Sequence, residues 1–369
     1  MIDYLSAAMG LEASDPLFWM PLVLGAFVFI VGLSVALMDG FGLGVGMLLP
    51  WLPPTERSLV LDRLAPWQVS NHAWLLLLLI FLMVVFPFAW ALLANGLYLG
   101  LLLLVTGGLL KVVSDKFARA LSKQVAWFWI YGVASALVTI GYGVLLGGYV
   151  AGLAWRLDLL AFYLIVVVAV LMSFLLLGCT WLVAWTNDEL LIRAARVGAF
   201  SARWSAAGMV AVALTLGLTN SAVFYKWTHA DYFFTAAMWW LVMLGAFVWL
   251  DMSLRRLVRN ALTEATPETT PGTTPRATAQ ATRLPFALAV TLLILMLFGL
   301  AYSAFPFVII DELSLWDAVA SPAVLQFALI CAVIVMPFLL VSHTKRIGRF
   351  FSRRDMARRA LATDGVAAR

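Results

Sequence analysis

The sequence predicts an all-α polytopic membrane protein with nine transmembrane helices. Three observations point there. Hydrophobic residues make up 64% of the 369 and charged residues 12%, against ~45–50% and ~25% in soluble domains. The apolar residues fall into a series of uncharged runs of the length that crosses a bilayer. The basic residues then fall almost wholly on one side of those runs. This composition excludes a water-soluble enzyme, and it excludes a disordered chain, which needs low hydrophobicity and high charge.

The runs follow in order. Pro16 to Met38 is the first; it breaks at Asp39 and continues through the glycine-rich FGLGVGMLLP. The stretch 64–110 holds no formal charge and is long enough for two spans, with Phe86-Pro87 marking the turn. The remaining runs are 124–155, 159–187, 204–225, 232–250, 284–310 and 318–344. With the N-terminus outside and nine spans, 22 of the 24 Lys and Arg lie inside, and only Arg156 and Lys226 lie outside. Reading 64–110 as one span would flip every later loop and scatter this bias. The pI near 9.4 thus reflects orientation and contact with anionic membrane lipids, with no call for nucleic acid.

Chain 1–369 reads as a single integral membrane domain. Residues 261–283, rich in Thr, Pro and Ala, read as a flexible cytoplasmic linker, and 345–369 as a basic cytoplasmic tail. The first 15 residues carry Asp3, Glu12 and Asp15 and no Lys or Arg, unlike a signal peptide's basic leader. Cys179 and Cys331 sit in apolar runs as small hydrophobes.

Few residues are equipped for chemistry. Asp39 is the sole carboxylate well inside an apolar run, where an ionised group costs roughly 2.5–3.5 kcal/mol and normally faces protein or a wet cavity. The bland alternative is a helix-end Asp bonded to nearby backbone. Gly40, Gly42, Gly44 and Gly46 permit close helix approach. No strand precedes them, so their spacing is not a nucleotide loop. His72 stands alone, while His229 and His343 lie at span ends; none has the setting of a haem ligand. Asn71 with Trp74, and Asn95 with Tyr98, are polar or amphipathic pairs one turn apart, suited to joining helices. Residue chemistry alone stops at a membrane protein that is either a transporter of a small solute or a subunit of a larger complex.

Several segments, taken in order, resemble subunit II of the cytochrome bd-type quinol oxidases. MIDY at the N-terminus and MDGFGLGVGMLLP at 38–50 resemble the family's T-D-G-F-D-x-G-V-G-M-L. Glu56-Arg57, Ala65-Pro66, Asn71 and Trp74 resemble E-R … A-P-x-W-[DE]-G-N-Q-V-W-L, and the spacing continues through Phe86-Pro87 to Asn95, Gly96 and Tyr98. GCTWLVAWTNDELLIR at 178–193 resembles G-A-T-Y-L … T-x-x-E-L-x-x-R, with Glu189 and Arg193 in place. AFPFVI at 304–309 and LSLWDA at 313–318 resemble F-P-F-V … S-L-T-x-W-D-A.

The resemblance implies nine helices arranged as two four-helix bundles plus a ninth. It implies a chain in the bacterial inner membrane that binds no haem itself and pairs with a haem-bearing subunit I holding haem b and haem d. The pair oxidises quinol, reduces oxygen to water and takes protons from the cytoplasm. Subunit II supports assembly and, in some members, lines a proton path or holds a bound quinone. Asp39, Asn71, His72, Lys111, Glu189 and Arg193 are the polar candidates, of which Asp39, Glu189 and Arg193 remain on matching positions; Gly40, Gly42, Gly44, Gly46 and Trp74 are the packing candidates. The departures are specific. The family's second Asp is Gly42, its W-[DE]-G is Gln68-Val69-Ser70, its Gln after Asn71 is His72, and an Arg-Pro is Lys111-Val112. Two acidic or basic stations for proton entry are therefore missing. That leaves a route through His72 or one wholly in the partner.

Overall fold

The computed structural model describes residues 6–7, 10–120, 125–153, 159–186, 188–264 and 275–341. Helix α1 spans Pro16–Leu48. Its start is set by Asp15, whose carboxylate accepts the Leu17 N–H at 2.8 Å while its carbonyl accepts those of Phe18 and Trp19. Pro16 occupies the first turn, where a missing N–H costs nothing. A 3-10 turn at Leu49–Trp51 ends the helix. Arg57 stops it electrostatically, donating to the carbonyls of Leu52 (3.0 Å) and Pro50 (2.9 Å).

Helix α2 spans Pro54–Val85 and α3 spans Pro87–Gly96. The break at Phe86-Pro87 is where the sequence places it, but a ten-residue helix fills the turn before α4, Tyr98–Ala120. Helices α5 (Val125–Val150), α6 (Leu160–Trp185) and α7 (Asp188–Thr219) follow. Helix α7 takes in Arg193, Arg196 and Arg203, which the sequence reading assigned to a loop. Charge interrupts the hydropathy there but not the helix, because Arg is a good helix former. Short α8 (Ser221–Thr228) leads into α9 (Ala230–Glu264) and α10 (Pro275–Ala304). The stretch 261–283 read as linker is therefore helical at both ends; its centre, 265–274, lies outside the described residues, as does the tail 345–369. The run 284–310 was expected to be one span. Instead α10 stops at Ala304, and Phe307–Ile309 pairs antiparallel with Leu313–Ser314 in a small hairpin. Helix α11 spans Pro322–Val341. Among the described residues nine helices are long and apolar enough to cross a membrane.

Two compact units are distinguishable, Met1–Phe27 with Ala320–Arg369 and Val28–Val319. The first contains the start of α1 and all of α11. The second holds two bundles. In one, α1 from Val28 onward meets α2, α2 meets α4, α4 meets α5, and α5 returns to α1. In the other, α6, α7, α9 and α10 close a similar ring. The bundles join along α5–α6 and α1–α6.

The α1–α6 seam is made by glycine. A Cβ on Gly44 would land on the Phe174 carbonyl, and one on Gly178 would land on the Gly44 backbone. On the same seam a Cβ on Gly40 would lie 2.6 Å from a Leu177 methyl, while one on Gly46 would strike Ser135 on α5. Gly42 differs, since a Cβ there meets nothing within 4 Å. The packing role expected of it has no neighbour to serve.

Candidate functional site: a polar node in the first bundle

The four helices of the first bundle each contribute a polar side chain to one network. Asp39 on α1 is 9% exposed. Its Oδ1 accepts a 2.6 Å hydrogen bond from the Asn71 amide on α2, and its Oδ2 accepts a 2.5 Å bond from the Tyr142 hydroxyl on α5. Lys111 on α4 is within Coulomb range of Asp39 and of Asp115. The carboxylate thus has two donors and a nearby cation, the conditions under which a membrane protein tolerates a buried charge. The Asn71 Oδ1 is buried with no hydrogen-bond partner among the described residues.

Further along the bundle the polar line continues. The Lys111 ammonium lies 5.7 Å from the Tyr131 ring centre on α5. Tyr131 is fully buried and accepts a hydrogen bond from Gln68 on α2. One helical turn on, Asp115 pairs with Arg119 at 3.0 Å, and Arg119 reaches across to Asp62 on α2 at 2.5 Å and to the Leu61 carbonyl at 2.9 Å. Lys111, Asp115 and Arg119 stand four residues apart and so share one face of α4. Gln68 and Asn71 do the same on α2, three residues apart.

Tyr142 also lines a cavity of about 640 Å³. The walls are mostly Leu, Val, Phe and Met from both bundles, with a few polar groups such as Ser173, Trp239 and Ser303. Ser173 and Ser205 share a 2.6 Å hydrogen bond. The Trp239 indole N–H is buried against Gly299 and has no hydrogen-bond acceptor among the described residues. An apolar chamber with one idle N–H donor suits an apolar molecule carrying a carbonyl.

This bundle pair has known counterparts. The profile of the family described as cytochrome bd terminal oxidase subunit II matches residues 20–345. The chain belongs to that family. It is 26% identical over 136 residues to cytochrome bd-I ubiquinol oxidase subunit 2 of Escherichia coli K12, and equally to that of Escherichia coli O157:H7. That match spans 36% of this chain and 35% of the relative's length. The fold is similar to a chain of the bd oxidase from Geobacillus thermodenitrificans, with a TM-score of 0.69 and 12% identity over 88% of this chain and 96% of that one.

The residues singled out in the sequence now divide. Asp39, Asn71 and Lys111 meet in this family member's first bundle. His72 does not: it follows Asn71 but faces outward and is exposed. Trp74 is 2% exposed on the inner face of α2. Arg193 is exposed on α7; Glu189 lies in the first turn of α7, with its side chain outside the described residues. Tyr142, Tyr131, Gln68, Asp115 and Arg119 were missed. The i, i+4, i+8 spacing of Lys111, Asp115 and Arg119 was a usable signal. The tyrosines were not, because in apolar runs a phenol that bonds and one that packs look alike.

Proposed function

We propose that this chain is the haem-free second subunit of a bd-type quinol:oxygen oxidoreductase. It lies in the bacterial plasma membrane with its N-terminus outside and its C-terminus in the cytoplasm. It supports assembly and stability of a partner that carries haem b and haem d. The observation carrying the reading is the family match along residues 20–345. The histidines support placing the haems in the partner. His72 is exposed, and His229 ends the short helix α8 between the rings of Tyr225 and Tyr232.

The polar line from Asp62 and Arg119 through Asp115, Lys111 and Tyr131 to Asp39 and Tyr142 supports a proton-conducting role inside the first bundle. The loss of acids at Gly42 and Val69 is met by this set, with His72 outside it. The cavity beside Tyr142 supports a bound quinone, whose ring carbonyl would accept from Trp239 while its isoprenoid chain fills the apolar remainder.

The test is purification of the tagged chain from its native membrane. A haem-bearing chain should copurify, and deleting this gene should abolish quinol-dependent oxygen uptake. A stable monomer without that partner, active in solute uptake in proteoliposomes, would reverse the reading in favour of a transporter.

A further inference from the structure

The two bundles carry the same device on their third helix. In the first, Asp115 and Arg119 stand four residues apart on α4, and Arg119 reaches Asp62 on α2. In the second, Asp251 and Arg255 stand four residues apart on α9 and pair at 2.6 Å, and Arg203 on α7 reaches Asp251 at 3.3 Å. The charge count is inverted. One guanidinium is shared by two carboxylates in the first bundle, and one carboxylate by two guanidiniums in the second. Arg119 also donates to the Leu61 carbonyl, so each of its three nitrogens is engaged. Arg203 and Arg255 each meet Asp251 through Nε, and their Nη nitrogens make no hydrogen bond or ion pair among the described residues. Both side chains are 57% exposed. The second clamp holds one positive charge more than it neutralises and leaves two planar donor forks open, a geometry that suits a phosphate.

The depth of the clamp says which phosphate. Arg203 directly precedes the uncharged run 204–225, and Asp251 directly follows the run 232–250. At 1.5 Å per residue the run on α9 is roughly 28 Å long, close to the thickness of a hydrocarbon core. The clamp thus lies where hydrocarbon gives way to headgroups. Trp204 and Trp249 are exposed beside it, at the level indoles favour. Two apolar stripes lead from it into the hydrocarbon at steps of three and four residues: exposed Ala207, Val210 and Leu214 on α7, and exposed Val248, Leu244 and Leu241 on α9.

We propose that Arg203 and Arg255, held beside each other by Asp251, grip the phosphate of an anionic phospholipid whose acyl chains lie along the outer faces of α7 and α9. The surplus positive charge selects a headgroup of net negative charge over a zwitterionic one, which brings its own cation. A soluble phosphate would satisfy the forks but leave the apolar stripes uncovered; a phospholipid fills both. Bound there, the lipid ties α7 to α9 on the outside of the second bundle. This rests on the chain's place in a membrane and not on which subunit holds the haems.

The test uses the full-length protein purified with its native partners and stripped of lipid by detergent washing. Phosphatidylglycerol, phosphatidylcholine or inorganic phosphate is added back, and bound molecules are counted by native mass spectrometry. The tightest phosphatidylglycerol should bind the Arg203→Gln/Arg255→Gln protein roughly thirtyfold more weakly than wild type, the combined weight of two basic residues at a membrane surface. Phosphatidylcholine binding should be unchanged. Arg203→Gln alone leaves Asp251 its closer partner and should weaken binding about fivefold, which keeps the test open if the double variant does not assemble. Arg256 is exposed about 100° further round α9, and Arg256→Gln should bind like wild type. Unchanged phosphatidylglycerol affinity in both Arg203 variants would overturn the proposal. So would an equal loss in Arg256→Gln, which would mean a diffuse basic surface, or inorganic phosphate bound as tightly as the lipid, which would mean a soluble anion.

Discussion

The Tyr142 hydroxyl donates a 2.5 Å hydrogen bond to the Asp39 carboxylate, tying α5 to α1. With Asn71 on the other oxygen, Asp39 is the point where three helices of the first bundle are joined. The consequences differ for each partner. Removing Tyr142's hydroxyl leaves one carboxylate oxygen short of a donor. Removing the carboxylate leaves two buried donors idle and Lys111 with one fewer nearby counter-charge.

The first prediction follows from that asymmetry. Tyr142→Phe should lower stability by about 1–2 kcal/mol, and Asp39→Leu by about 3–5 kcal/mol, because an uncompensated buried polar group costs more than the bond it made. Thermal unfolding of the purified complex in detergent measures both. An Asp39→Leu protein as stable as wild type would remove Asp39 from the structural account.

The second prediction concerns the glycine seam. Gly44→Ala should destabilise by at least about 1–3 kcal/mol, since the new methyl would meet the Phe174 carbonyl, which is backbone and cannot swing aside. Gly42→Ala should be neutral or gain up to about 1 kcal/mol from helix propensity, because nothing lies within 4 Å of the new atom. Accumulated protein and melting temperature would separate them. Equal effects would mean that Gly44 does not set the α1–α6 approach.

These two cases show what could be read from the residues alone. Nine spans and the break at Phe86-Pro87 were legible because hydrocarbon thickness and the missing proline N–H leave marks in a single chain. Asp39 was legible because charge is rare in an apolar run. The four glycines could not be told apart, because alternate glycines on a helix face different neighbours and the facing helix lies over a hundred residues away. His72 and Asn71 are adjacent in sequence and point to opposite surroundings, a distinction that depends on the phase of α2 against its bundle. The hairpin after Ala304 was hidden because Phe, Val and Ile serve a buried strand as well as a helix.

The third prediction concerns Lys226 on α8. Its ammonium donates to the Tyr302 carbonyl at 2.9 Å and to that of Phe305 at 2.5 Å, fastening the end of α10 beside the hairpin. Burial lowers its pKa below the ordinary lysine value. Between that lowered pKa and about 10.4 the unfolded chain binds more protons at this site than the folded one. Its contribution to stability therefore grows as pH rises through that window. Melting temperature followed from pH 8 to 10.5 should fall less steeply, or rise, in wild type relative to Lys226→Met. Parallel profiles would mean that the side chain titrates as it does in water.

The last prediction tests the polar line itself. Lys111 is a cation within Coulomb range of both Asp39 and Asp115, and it also lies over the Tyr131 ring. If protons pass along this bundle, replacing it with an isosteric apolar chain breaks the line between two carboxylates. Lys111→Met should then lower oxygen-linked turnover at least about tenfold, an added barrier of roughly 1.4 kcal/mol, while haem content of the complex stays unchanged. Lys111→Arg, which keeps the charge, should recover most of that loss. His72→Ala should leave the turnover of each assembled complex near wild type, because His72 faces away from the line. The opposite pattern, with Lys111→Met silent and His72→Ala slow in fully assembled complex, would move the route out of the bundle and onto the surface of α2.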